Sequence, residues 1–290
     1  MSNIFEFKKA ERKGLWAHVA IDGPTGSGKT WTALTIANGL LKGSDKRCAV
    51  IDTERSSANR YADVFDFDSI QLETFEPSTY VDAIKRFDPA THGVLIIDSL
   101  SHAWAGKGGA LEQVDRAAAR SQSSNTYVAW REVTPMHNEL VDTILSVPAH
   151  VIVTMRSKMD YILEPNEKGK LVPRKVGMAP IQREGLSYEF DIVGDMDNDN
   201  NLIISKTRAS FLNREVINRP TSDLGVKILE WCGHVDPTVT DFELRALLKI
   251  APADRVKEVC SKMFNGKGPR DLSYPDYLKL RQAVERSVSV

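Results

Sequence analysis

The sequence predicts an α/β protein with a mostly parallel sheet, antiparallel hairpins at the sheet edge and a small helical unit at the C-terminus. Three observations carry this. Short apolar runs ending in an acid, Arg47 to Asp52 and Val94 to Asp98, alternate with stretches of helical periodicity, as buried strands alternate with crossover helices. A glycine-rich segment, Gly23 to Thr30, stands between the first apolar run and the first helical one. From residue 235 the apolar spacing is helical only, which divides the chain into a core over 1–234 and a helical unit over 235–290.

The elements follow in order. Leu15 to Ile21 is the first strand, and Thr30 to Leu41 has helical spacing with a stop at Lys42-Gly43. Arg47 to Asp52 is the second strand, Ser69 to Phe75 the third, and Thr79 to Phe87 a helix opened near Pro77-Ser78. The unbroken run Val94 to Asp98 marks a central strand. Helices follow at Ala110 to Arg120 and Val128 to Ser146, then a buried strand from His150 to Arg156. Turn residues Pro165 to Gly169 between apolar groups make Lys158 to Lys175 a projecting hairpin. Phe190 to Met196 and Leu202 to Lys206, around the polar tip Asp197 to Asn201, form a second hairpin that closes the sheet with antiparallel strands. Leu224 to Trp231 ends the core. The tail helices span 241–250, 253–264 and 274–286, with Phe242, Leu244, Leu247, Leu248, Val256, Val259, Met263, Leu278, Leu280 and Val284 as their core.

Composition sets limits. The 38 basic and 39 acidic side chains leave a formal charge of -1, so contact with nucleic acid requires a local patch. Cys48, Cys232 and Cys260 lack metal-ligand spacing and read as core residues in a reducing compartment. The charged first residues and the lack of a long apolar run point to a cytoplasmic protein without membrane contact.

Gly23-Pro24-Thr25-Gly26-Ser27-Gly28-Lys29-Thr30 is a complete phosphate-binding loop. Its glycines let backbone N–H groups turn toward phosphate oxygens. Lys29 reaches the β and γ phosphates, and the Thr30 hydroxyl coordinates Mg²⁺, so a nucleoside triphosphate with Mg²⁺ is the expected ligand pair. Asp98, at the end of a buried strand, sits where a second acidic motif supports Mg²⁺. Glu54 lies just past the second strand, where a carboxylate can orient water; it can equally cap a following helix or pair with Arg55, and Asp52 competes for the role. His102 and Trp104 read as packing residues, Trp130 as core and His137 as surface.

The order of the phosphate loop, Ile51-Asp-Thr-Glu54 followed by Tyr61, Leu95-Ile-Ile-Asp-Ser99 and Ser205-Lys-Thr-Arg-Ala-Ser-Phe211 resembles the RecA-type recombinase core over roughly Gly14 to Phe211. The resemblance implies a RecA-like P-loop NTPase in which Glu54 activates water and Tyr61 stacks on adenine. It also implies that Lys206 and Arg208 reach across a subunit interface, Arg208 standing where the family has a second lysine. A ring or filament would follow. The family's glutamine after the fifth strand has no clear counterpart, which leaves Thr154 and Arg156 as candidate γ-phosphate sensors. The chain is similar to phage-encoded RecA-like ATPases associated with single-strand annealing and recombination, which would place it in the cytoplasm of a host cell.

Between Arg156 and Lys175, six cations face three acids. Arg156, Lys158, Lys168, Lys170, Arg174 and Lys175, with Tyr161, are candidates for gripping single-stranded DNA, and the DNA loops of the resembled family follow the same strand. The expected function is a Mg²⁺-dependent ATPase that assembles on single-stranded DNA and supports recombination or annealing. The alternatives are a hexameric helicase-type ring, and a nucleotide-gated adaptor with little turnover that recruits a protein partner through its tail.

Overall fold

The computed structural model describes residues 7, 9–10, 14–120, 126–165, 171–233 and 241–288, with the side chains of 161–165, 171–176, 241–243, 245–246, 271, 274–275 and 288 outside that description, that of Phe242 from the expected tail core among them. The chain runs β1 (His18–Gly23), α1 (Lys29–Leu40), β2 (Arg47–Asp52), β3 (Phe67–Gln71), α2 (Pro77–Ile84), β4 (His92–Asp98) and α3 (Ser101–Ala105). Helices α4 (Ala110–Arg120) and α5 (Thr126–Leu145) precede β5 (His150–Pro165), β6 (Leu171–Pro180), β7 (Ile192–Met196), β8 (Asn201–Thr207) and β9 (Val216–Asn218). The remaining helices are α6 (Ser222–Trp231), α7 (Asp241–Ile250), α8 (Ala253–Met263) and α9 (Tyr274–Val288).

The strands form one mixed sheet in the order β3-β2-β4-β5-β1-β7-β8-β9, with β6 paired to the outer part of β5. Strands β3, β2, β4, β5, β1 and β7 are mutually parallel, so their carboxyl ends share one edge. Burial on both faces explains the unbroken apolar runs of the central strands. Leu95, Ile97, Val151 and Val153 pack with Tyr80 and Ile84 of α2 and Leu140 and Ile144 of α5. The alternate residues Val94, Ile96 and Ile152, also buried, face the other way, where α1 packs on β4 and β5. Two layers of helix thus cover the sheet, as the α/β prediction requires.

Four expectations change. The first strand of the second hairpin, β7, pairs parallel with β1, and the antiparallel pairings are those of β5 with β6, β7 with β8 and β8 with β9. Turn chemistry identifies which strands are adjacent through a hairpin but does not choose the neighbour on the other side. The strand from His150 does not stop at Arg156; it continues to Pro165 as one arm of the projecting hairpin. Strand β3 ends at Gln71, because at the sheet edge only part of its side chains are covered and the apolar signal is weak. Within the tail, Leu247, Val256, Leu280 and Val284 are buried as expected, joined by Cys260, Leu272 and Tyr277, whereas Leu248 and Met263 are exposed.

Contacts group the chain into two compact units, one comprising Trp16–Leu41 and Lys46–Ile228 and the other including 229–290 with α7, α8 and α9. Among the described residues no helix is long and apolar enough to cross a membrane, and the three cysteines are buried, none of them in a disulfide.

One crossing in the first unit tolerates only glycine. A Cβ on Gly39 of α1 would stand 2.0 Å from the Ser222 carbonyl oxygen, and one on Gly225 of α6 would stand 2.1 Å from that of Ile36. Backbone oxygens cannot retreat as a side-chain tip can. Gly39→Ala and Gly225→Ala are therefore each expected to destabilise the protein by about 2–3 kcal/mol in urea unfolding, with a less than additive double variant because both strain one contact.

Candidate active site

The turn from β1 into α1 forms the phosphate loop. Gly23, Gly26 and Gly28 have φ of 154°, 84° and 88°, a region open to glycine. Helix α1 begins with no side-chain cap and no acid in its first turn, so its positive end is left for an anion. A Cβ on Gly26 would meet nothing within 4 Å, so the outer side of the loop is open. Lys29 Nζ donates to the carbonyls of Gly23 at 2.9 Å and Pro24 at 2.7 Å. Burial holds its pKa below the ordinary amine value while Asp98 and Glu54 pull it up. Asn200, from the β7–β8 turn, donates from Nδ2 to the Ser27 carbonyl at 2.9 Å and braces the loop from outside.

Thr30 Oγ1 donates to Asp98 Oδ2 at 2.6 Å, and Thr154 Oγ1 donates to Asp98 Oδ1. Burial raises the Asp98 pKa, and the two hydroxyls oppose that rise. A hydroxyl and a carboxylate at the mouth of the loop are hard oxygen donors of the kind Mg²⁺ takes alongside phosphate oxygens and water. These residues fit the expected ion. Thr154, a candidate phosphate sensor, is instead committed to Asp98.

Glu54 stands at the same edge, on a loop shaped by Asp52 and beside a cation of β5. Asp52 Oδ1 accepts the Glu54 N–H at 2.6 Å and Oδ2 the Ala58 N–H at 3.0 Å, so the competing aspartate shapes the loop that carries Glu54. Arg55 and Ser56, with φ of 56° and 60°, hold the left-handed conformation there. Glu54 neither caps a helix nor pairs with Arg55; Arg156 Nε donates to its Oε1 at 2.9 Å and Nη2 to its Oε2. With 26% and 42% of the two side chains exposed, solvent screening leaves such a pair about 1 kcal/mol. Behind Glu54, Thr53 Oγ1 lies 2.7 Å from His102 Nδ1, and His102 stacks on Phe75.

Tyr61 sits beside the start of α1 with its ring edge-on to Trp31, which also meets Phe65, at centroid distances of 5.5 and 5.0 Å. Trp31 and Phe65 were not anticipated, although a tryptophan directly after Lys29-Thr30 is a usable signal. Lys206 and Arg208 lie at the opposite, amino-terminal end of the sheet strands, level with Val193 and Asp191. Lys206 Nζ donates to the carbonyls of Ser187, Tyr188 and Phe190 at 3.0, 2.7 and 2.5 Å, so its ammonium closes a turn of its own chain. Arg208, 58% exposed, pairs with Asp191 at 2.7 Å.

Of the DNA candidates, Arg156 is held by Glu54, while Lys158 is exposed near the base of the hairpin. Lys168 and Lys170 lie outside the described residues, and Tyr161, Arg174 and Lys175 are described in backbone only. His137, expected at the surface, is 4% exposed. Burial lowers its pKa to about 4, and it meets Trp104 edge-on. Trp104 stacks on Trp130, as packing residues should.

A second pair of acids lies beneath the loop. Asp22 on β1 faces Asp195 on β7 in register and is hydrogen-bonded to it, while Ser157 Oγ donates to Asp22 at 2.6 Å. Burial first, and the Asp195 charge second, raise the Asp22 pKa to about 7.

Residues 17–219 match the family model described as AAA domain. No curated protein matches the chain. Among solved structures, a KaiC-like protein from the hyperthermophilic archaeon Pyrococcus horikoshii OT3 is similar at 16% identity, with a TM-score of 0.37 over 72% of this chain and 90% of that one.

The acid pair gives a pH prediction. The Asp22 carboxyl ionises near 3.8 when unfolded and near 7 when folded. Between those values the folded state holds the extra proton, so stability falls as pH rises. Asp22→Asn keeps the hydrogen-bonding shape without the charge, and its melting temperature should gain on that of the parent protein as pH rises from about 4 to about 7 and level off above.

Proposed function

The chain belongs to the AAA domain family, and we propose that it is a RecA-like P-loop ATPase, Mg²⁺-dependent and DNA-stimulated, that assembles on single-stranded DNA and supports recombination or annealing. The observation that carries the ATPase reading is the convergence of Lys29, Thr30, Asp98 and Glu54 at one sheet edge. Lys29 and the α1 N-terminus hold the phosphates, and Glu54 aligns the attacking water. Thr30 and Asp98 would hold Mg²⁺, whose charge offsets that of the phosphates. Tyr61 and Trp31 provide an aromatic wall beside the loop for the adenine.

The DNA reading rests on the hairpin. Strand β5 carries Thr154, bonded to Asp98, and continues without interruption into the hairpin arm, so a strand of DNA gripped there lies one β-strand from the metal site. Self-association rests on Arg208. It stands at the far end of the strands from its own loop, so its charge reaches a nucleotide only if that nucleotide belongs to a neighbouring copy. Lys206 serves that neighbour by holding the turn from Leu186 to Phe190 in shape. Assembly would take place in the cytoplasm of a phage-infected host, and the tail helices would dock a protein partner.

ATP turnover should rise on adding a single-stranded oligonucleotide at low salt and lose that rise as salt increases; turnover indifferent to DNA at every salt concentration rejects the DNA reading. Glu54→Gln should bind nucleotide yet hydrolyse it about 10²–10⁴-fold more slowly, and Lys29→Ala should lose nucleotide binding. Specific activity should climb with protein concentration, and an inactive Lys29→Ala protein should recover none of the activity of Arg208→Ala when the two are mixed unless Arg208 acts in trans.

A further inference from the structure

A cleft beside α5 has no part in the nucleotide site. It lies between the second half of that helix and residues 183–189, the stretch that leads from the hairpin to β7, and holds a cavity of about 450 Å³. Its mouth is polar: Asn138 and Asp142, one turn apart on α5, share it with Glu184 and Glu189, and all four residues are exposed. Arg183 also lines the cleft and is bonded through Nη1 to Asn138 Oδ1 at 3.3 Å. Three carboxylates against one guanidinium make a local acidic surplus in a chain whose charges nearly balance.

The floor supplies an independent sign of a ligand. His137 lines the cavity, is 4% exposed, and has a buried Nδ1 with no hydrogen-bond partner among the described residues. An orphaned polar atom in the interior is costly unless something meets it. Trp104 holds the ring edge-on at 5.4 Å, so the imidazole cannot turn freely toward another partner. Burial and the Arg183 charge keep that imidazole neutral at ordinary pH, so the floor adds no positive charge and, with the proton on Nε2, offers a lone pair at Nδ1.

We propose that this cleft takes an arginine side chain of a partner polypeptide, its guanidinium received among Asp142, Glu184 and Glu189 and one of its N–H groups donated to His137 Nδ1. The acceptors converge from both walls and from the floor, and a guanidinium brings five donors in a planar fork where an ammonium brings three on a point charge. It is also the more weakly hydrated of the two, which suits a half-buried seat. The exposed walls cover the tip of a ligand and little more. A side chain carried on a polypeptide needs no more than that, whereas a free small molecule is bound with most of its surface covered. The same carboxylates repel a phosphate backbone, which separates this cleft from any contact with DNA. No residue of it belongs to the phosphate loop or its metal ligands, so the proposal stands independently of the ATPase reading.

Peptide binding to the full chain tests this. With histidine side chains isotope-labelled, an acetylated Gly-Ser-Arg-Ser-Gly amide at low salt should shift the His137 ring resonances saturably. The same peptide with citrulline for arginine keeps the shape without the charge and should bind about tenfold more weakly or worse, with the lysine peptide between them. Asp142→Asn with Glu184→Gln, at two exposed positions, should weaken the arginine peptide about tenfold without lowering the melting temperature. His137→Phe should weaken it as well; should that variant not fold, the mouth variant decides. The proposal is overturned if the citrulline peptide binds equally, if the mouth variant binds the arginine peptide undiminished, or if saturating peptide leaves the His137 resonances unmoved. It is overturned too if spermine occupies the cleft at lower concentration than the arginine peptide, which makes it a small-cation site. A mouth variant that changes the oligomeric state without peptide likewise overturns it, because the occupant is then a second copy of this chain.

Discussion

The carboxylate of Asp98 lies between two hydroxyls, Thr30 from α1 and Thr154 from β5, and the rest of the site is arranged around that pair of bonds. They tie the first helix turn to two neighbouring strands at the level where the phosphate loop opens. A buried carboxylate left without donors would protonate or pull water into the sheet. Here two hydroxyls oppose the rise that burial imposes on its pKa, at a place where a divalent ion can meet it.

The same economy runs through the surrounding charges. Lys29 rests on loop carbonyls, Glu54 on Arg156, and Asp22 on a proton shared with Asp195. Carbonyls and a half-exposed ion pair are weak partners, and they stand on closely packed apolar strands. A rigid sheet with exchangeable polar contacts at its carboxyl edge is the arrangement expected of a site that binds, reacts and empties repeatedly.

The parts of the site legible in the sequence are local. The phosphate loop is eight consecutive residues, Asp98 ends an apolar run, and Glu54 follows one closely. What sequence concealed is contact over distance. Arg156 looked like one of six cations on a hairpin, and only the parallel pairing of β5 with β4 and β1 brings it to Glu54, 102 positions away. Lys206 looked free, yet the turn it closes is made of backbone carbonyls, which no side-chain pattern reports. His137 looked like a surface residue because its helix is mixed in character, and its neighbour Trp104 comes from a different helix. The strand order was readable as a class but not in detail, since the parallel placement of β7 depends on which edge of β1 remains available after β5 has taken the other.

The central position of β1 bears on how the chain comes into being. Its two neighbours are β5 and β7, which begin at His150 and Ile192, and the brace on its loop is Asn200. At about 5–20 residues per second on the ribosome, β1 waits roughly 10–35 s for them. Until β5 is made the apolar β1 has neither sheet neighbour, and until Asn200 follows the loop lacks its brace, so a nucleotide has no formed site early in synthesis. The interval is also when chaperone capture would matter most, and a synthesis rate that slows before residue 150 would lengthen exposure of a segment the finished protein buries almost completely.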